Sequence, residues 1–167
     1  MSSSALFEGV STTCSSSVDK RWLDVIGGQV FPTSGWGKSL GFAPSVSYSV
    51  LDQYVLTVGV AAQAKRESWI MFRENHVRGL ELSSGDHPTS VFARCYVRAS
   101  FLVRVLHRVA IMITPEVRVH AFYCSCAAGA SGACKHGVAA LFRLWDLEQQ
   151  GCDTVPRDLA VTELPAY

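Results

Sequence analysis

Four side chains between Cys124 and His136 are of the types that hold a thiophilic dication. Cys124 and Cys126 form a C-x-C pair, seven small residues follow, and Cys134 and His136 form a C-x-H pair. Zinc in a non-catalytic site takes four such ligands in a tetrahedron, at about 2.3 Å for sulfur and about 2.0 Å for nitrogen. Residues two apart point the same way in extended chain, so each pair offers both of its ligands to one side. The loop from Ala127 to Ala133 then has only to bend the pairs together, and its two glycines and small side chains leave room for that. Four protein ligands leave no open coordination position, so the expected cofactor is one structural Zn2+ ion. A redox reading of Cys124 and Cys126 fits less well, because redox dithiols are C-x-x-C at a helix start. A cysteine nucleophile served by His120 or His136 would need a substrate pocket, and none is legible in the chain.

The flanking patterns say what must position these ligands. Val117 to Tyr123 alternates Val117, Val119, Ala121 and Tyr123 with Arg118, His120 and Phe122, a strand that delivers Cys124 directly. Before it, Thr114-Pro115-Glu116 separates the strand from the apolar, β-branched run Phe101 to Ile113, which predicts a β-hairpin. After the second pair, Val138, Leu141, Leu144, Trp145 and Leu147 recur at helical spacing, with Gly151 as the stop. The motif therefore joins a hairpin to a closing helix, against which Val117, Val119 and Tyr123 are expected to pack. Upstream, Ser90 to Ala99 reads as a strand with Val91, Ala93, Cys95, Val97 and Ala99 on one face and a basic, aromatic face of Phe92, Arg94, Tyr96 and Arg98. His76 to Leu82 reads as another strand, and Ser68 to Phe72 as a short apolar one. Ser45 to Val60 suits a strand by composition and a helix by the spacing of Val50, Leu51, Tyr54, Val55 and Val58, and both stay open.

The chain has 167 residues, 49% of them hydrophobic and 17% charged, enough for one packed core and too apolar for global disorder. No apolar run is long enough to cross a bilayer, and the first residues lack the basic start and apolar core of a signal peptide, so an intracellular, reducing compartment is expected. Six cysteines would allow a disulfide framework, but three crowd into eleven residues, which favours a metal. Cys14, Cys95 and Cys152 are not expected as ligands; Cys95 lies on the apolar parity of its strand. His76, His87 and His107 stand outside metal spacing, and His120 is retained as a group supporting the ligands.

A net charge of +1 hides an asymmetry. Between Val91 and Trp145, seven Arg and Lys (Arg94, Arg98, Arg104, Arg108, Arg118, Lys135 and Arg143) face Glu116 alone. Such an excess favours an anionic partner, and Arg94, Arg98, Arg104, Arg108, Arg118 and Lys135 are candidate nucleic-acid contacts. Equally, they suit a solvated sheet face; strand register decides whether they share a surface. Phe92, Tyr96 and Phe122 are open to base stacking, although cross-strand packing is the commoner use of such rings.

CSC, a short loop, and CKH running into the apolar helix GVAALFRLW resemble the SWIM-type zinc finger, whose pattern is C-x-C, a variable loop, then C-x-H. The resemblance covers about Val117 to Leu147 and carries ligand roles onto Cys124, Cys126, Cys134 and His136. The stretch from HVRGLEL through CYVRAS, the hairpin, CSCAAG and CKHGVAALF is also similar to the region preceding the nuclease in animal proteins with a YqaJ-like recombinase domain. SWIM-type fingers occur in Mutator-class transposases, in chromatin and ubiquitin-related proteins and beside recombinase-like nucleases, which implies DNA or protein partners and a nuclear setting. In the nuclease-bearing members the catalytic domain lies beyond the finger. This stretch is accordingly expected to be non-catalytic, whether a free-standing module, part of a larger protein or the remnant of a mobile element.

The expected fold is α+β, an antiparallel meander whose last hairpin feeds a zinc knuckle and a C-terminal helix. Its divisions are a loosely ordered region at 1–44, a β-rich domain at 45–151 with the finger at about 104–150, and an irregular tail at 152–167. The expected function is DNA binding in a transposase- or recombinase-related context, or alternatively a protein-protein interaction. No membrane and no small-molecule substrate are expected.

Overall fold

Two helices precede the sheet. The first, α1 (Tyr48–Val58), starts where the Ser47 hydroxyl accepts a hydrogen bond from the amide of Val50 at 3.2 Å, an N-cap that satisfies one of the first-turn donors. Leu51, Tyr54 and Val55 form its buried face, so the helical spacing of that stretch prevails over its β-branched composition. The second, α2 (Ala62–Arg73), includes the SWIMF segment that read as a strand. The reason lies upstream of those five residues: Ala62 to Glu67 are strong helix formers, and they extend a period that buries Ser68 and Met71. A five-residue apolar window is too short to reveal that period.

The computed structural model describes residues 22–41, 46–85, 90–99, 105–116, 118–128 and 132–158. Among these, six strands and a third helix accompany α1 and α2: β1 (Val25–Ile26), β2 (Gln29–Val30), β3 (Val77–Ser83), β4 (Val91–Arg98), β5 (Leu106–Thr114), β6 (Arg118–Cys124) and α3 (Lys135–Gln149). Strands β3 to β6 form an antiparallel meander in sequence order, and β1 pairs with β2 in a separate short ribbon. The fold is α+β, with the β5–β6 hairpin leading into the C-terminal helix, and among the described residues no helix is long and apolar enough to cross a membrane.

Both faces of the sheet are covered. On one, Val91, Ala93, Cys95 and Val97 of β4 with Val109, Ile111 and Ile113 of β5 pack against α1 and α3 through Leu51, Val55, Val138 and Leu141. On the other, Phe92, Ala110 and Met112 meet Ile26 and Phe31 from the N-terminal ribbon, with Trp22 and Trp36 alongside. The basic, aromatic face read from β4 is thus partly a second core, and Phe92 is only 1% exposed. Residues 22–36, within the stretch expected to be loosely ordered, cover that core, whereas Leu40 packs against the helix-side cluster. Residues 152–158, after α3, are irregular but anchored: Val155 is buried, its amide donates to the Lys38 carbonyl, and Asp158 accepts from the Gly79 amide at 2.8 Å.

The β5–β6 pairing shifts register between Met112 and Ile113, where Met112 faces Ala121 and Ile113 faces Val119, leaving His120 as the extra residue of a β-bulge. This changes the parity expected for β6. Val119, Phe122 and Cys124 all enter the helix-side core, whereas Tyr123 packs with the opposite cluster. The expected packing of α3 against Tyr123 is therefore replaced by packing against Phe122; Val117 lies outside the described residues.

Candidate metal centre

Strand β6 ends at Cys124 and α3 begins just after Cys134, so the two ligand pairs are fixed by the ends of two packed elements. Cys134 is the N-cap of α3, and its Sγ accepts from the Gly137 amide at 3.5 Å. Gly137 lets the helix approach β6 closely, because a Cβ there would collide with the Phe122 ring. At its other end α3 stops where the Cys152 amide donates to the Leu147 carbonyl at 3.1 Å, beside Gly151 in the left-handed region.

The ligand atoms of Cys124, Cys126, Cys134 and His136 all lie within 4.8 Å of one another, and Cys124 Sγ is 3.8 Å from His136 Nδ1. A tetrahedron with bonds of about 2.3 Å has edges near 3.8 Å, so the cluster has the size of a metal site. Cys124, Cys134 and His136 are buried and Cys126 is partly so. The described cysteines are free thiols. Hydrogen bonding from Cys124, and then from His136 and the Gly137 amide, holds the Cys134 thiol well below the ordinary range. The same bond to Cys134, reinforced by burial, pushes Cys124 up, and burial followed by the Cys134 charge raises Cys126. Burial and the neighbouring sulfur oppose ionisation of Cys124 and Cys126, and a bound dication is the charge that would favour it. These residues fit a metal ion.

Two neighbours of the site have no signature in the ligand spacing. Tyr54 of α1 donates to the Gly132 carbonyl at 2.6 Å and packs on Phe122 with ring centres 5.3 Å apart, so α1 ties down the loop that carries Cys134. Burial, then the Cys134 charge, raises the Tyr54 hydroxyl above its ordinary range. His107 of β5 lies beside His136, ring centres 4.3 Å apart, and burial followed by His136 lowers its imidazole. It shares the parity of Val109 and Ile111, which was the available signal. The supporting role reserved for His120 falls to these two, since His120 sits at the bulge, exposed, and lines an open groove of about 570 Å³ with Gln53, Thr57 and Arg118.

Among the described residues, three of the candidate nucleic-acid contacts share a sheet face but differ in their surroundings. The β4–β5 register sets Arg108 opposite Tyr96 and so on the face of Arg94 and Arg98. Arg94 is already engaged: its guanidinium lies 4.3 Å from the centre of the Trp36 ring and 5.6 Å from that of Trp22, and bonds Glu81 at 3.1 Å. Arg98 is buried, Arg118 is exposed at the hairpin end, and Lys135 pairs with Glu67 at 2.9 Å. Arg104, Cys14 and His87 lie outside the described residues. Cys95 is a core thiol pushed up to about 12 by burial, and Cys152 packs against the core. Of the proposed stacking rings, Phe92 and Phe122 are buried, and Tyr96 rests against Trp22 at 5.2 Å.

No protein-family model, curated protein or solved structure matches the chain.

Proposed function

We propose that the chain is a SWIM-type module in which one zinc ion, held by Cys124, Cys126, Cys134 and His136, staples β6 to α3, and that it binds DNA in a transposase- or recombinase-related, nuclear setting without catalysing a reaction. The observation that carries this reading is the convergence of three thiols and one imidazole within 4.8 Å at a strand end and a helix start. A Cys3His set is the donor chemistry of structural zinc, and a closed four-ligand sphere gives stability rather than turnover. The excess of cations between Val91 and Trp145 supports an anionic partner.

A second reading, a protein-protein interaction module, is favoured by the internal use of Arg94 and Lys135, each spent on a neighbouring carboxylate. Salt separates the two. Affinity for duplex or single-stranded DNA should fall steeply as salt rises, because each neutralised phosphate releases counterions. Absence of binding to either form at low salt would exclude the DNA reading and leave the protein partner.

A further inference from the structure

We propose that the outer face of α2, with Trp69 and Ile70 set between Arg66 and Arg73, binds single-stranded DNA by base stacking and phosphate contact. The inference rests on the DNA reading above and assigns the contact to a surface outside the basic hairpin. Residues 66, 69, 70 and 73 follow the i, i+3, i+4, i+7 spacing of one helical stripe, which spans about 10 Å. This stripe is turned away from the buried Ser68 and Met71. Trp69 is 40% exposed and Ile70 52%, and Tyr48, 46% exposed, continues the aromatic surface through Trp145.

The indole is held as well as exposed. Trp69 packs on Phe142 with ring centres 5.2 Å apart and on Phe72 at 5.4 Å, so its orientation is fixed by the core beneath it. Arg73 lies 6.0 Å from the Trp69 ring centre, and among the described residues neither Arg66 nor Arg73 makes an ion pair. Fixed aromatic faces flanked by unneutralised cations are what unpaired bases and their phosphates need. Duplex DNA is a poorer match, since its base faces are stacked inside. A second copy of the chain is also disfavoured, because a two-fold contact through this stripe would set Arg66 and Arg73 against their own counterparts.

The test is fluorescence anisotropy with labelled oligothymidylate and with a duplex, across a salt series. It compares the unaltered protein, Arg66→Ser/Arg73→Ser, Trp69→Leu and Arg108→Ser/Arg118→Ser. Trp69→Leu should weaken oligothymidylate binding at least about fivefold. Arg66→Ser/Arg73→Ser, whose side chains lie on the surface, should weaken it and flatten the log-log salt dependence by about 1.4. Unchanged binding in both α2 variants, with loss in Arg108→Ser/Arg118→Ser, would overturn the α2 surface while leaving DNA binding in place. Preference for the duplex would do the same. Failure of the unaltered protein to bind either DNA would overturn both readings, and equal competition by a glutamate-rich peptide would overturn the choice of ligand.

Discussion

The Tyr54 hydroxyl and the Gly132 carbonyl, 78 residues apart, meet in a buried hydrogen bond of 2.6 Å. Through it, α1 restrains the loop that leads into Cys134, although α1 contributes no ligand. Tyr54→Phe keeps the ring on Phe122 but leaves the Gly132 carbonyl without this donor, which should cost about 1–3 kcal/mol of stability. Metal affinity should drop about tenfold or more, as for groups that orient ligands. Chelator competition measures this, and an affinity equal to that of the unaltered protein would show that the loop is held by other means.

Gly137→Ala sets two effects against each other. Alanine in a helix gains up to about 1 kcal/mol over glycine. Here its Cβ would run into the Phe122 ring, an overpacking that costs about 1–3 kcal/mol and pushes on the strand that ends in Cys124. The clash should win, lowering the denaturation midpoint. Phe122→Leu combined with Gly137→Ala should recover part of the loss, and a stabilised single variant would contradict the packing described.

Arg94 is engaged by neighbours within the fold. Its contacts with Trp36 and Trp22 and its ion pair with Glu81 give the side chain a structural role at the seam between the sheet and the N-terminal ribbon. Arg94→Ala should lower stability by about 1–2 kcal/mol in urea unfolding, combining a partly exposed cation–π contact with an ion pair that is itself worth little. DNA affinity should stay within twofold. A large affinity loss with unchanged stability would return Arg94 to the binding surface.

The His76 imidazole is buried, and burial lowers its pKa from the ordinary 6.5. The Arg98 carbonyl at 3.2 Å and Glu74 at 3.6 Å oppose that shift, while the charges of Arg98 and His136 add to it. Between the folded value and 6.5 the unfolded chain binds more protons, so stability falls as pH drops below about 6.5. Comparing the protein with His76→Gln at each pH isolates this contribution from that of the metal site. The variant should lose less stability on acidification; equal losses would show that His76 does not titrate differently on unfolding.

The Cys/His cluster was legible in residue types and close spacing. Lys135 and His136 already belong to α3 and only Cys124 of the first pair ends a strand, so extended-chain geometry does not describe the second pair. The closing helix was legible because Val138, Leu141, Leu144 and Leu147 span several turns. Strands β3, β4 and β6 were legible through period-two alternation, and β5 through its apolar, β-branched run. What local pattern could not carry was anything decided by distant partners. SWIMF is apolar enough for a strand, yet its helix is set by Ala62 to Glu67 and by the core that receives Met71. A single bulge at His120 turned Phe122 and Cys124 toward the helices. The burial of Phe92 and the capture of Arg94 depend on Trp22, Phe31 and Trp36, more than fifty residues upstream in the chain. Tyr54 and His107 reach the metal centre only through packing.

Native mass spectrometry of the intact chain, with and without chelator, tests the metal centre most directly. One zinc ion per chain is expected, removed by chelator and absent from Cys134→Ala and His136→Ala, with faster amide exchange across the first turns of α3 as it leaves. Undiminished stoichiometric zinc in both variants, or a fully folded protein that never takes up the ion, would contradict the assignment of Cys124, Cys126, Cys134 and His136 as a structural zinc site.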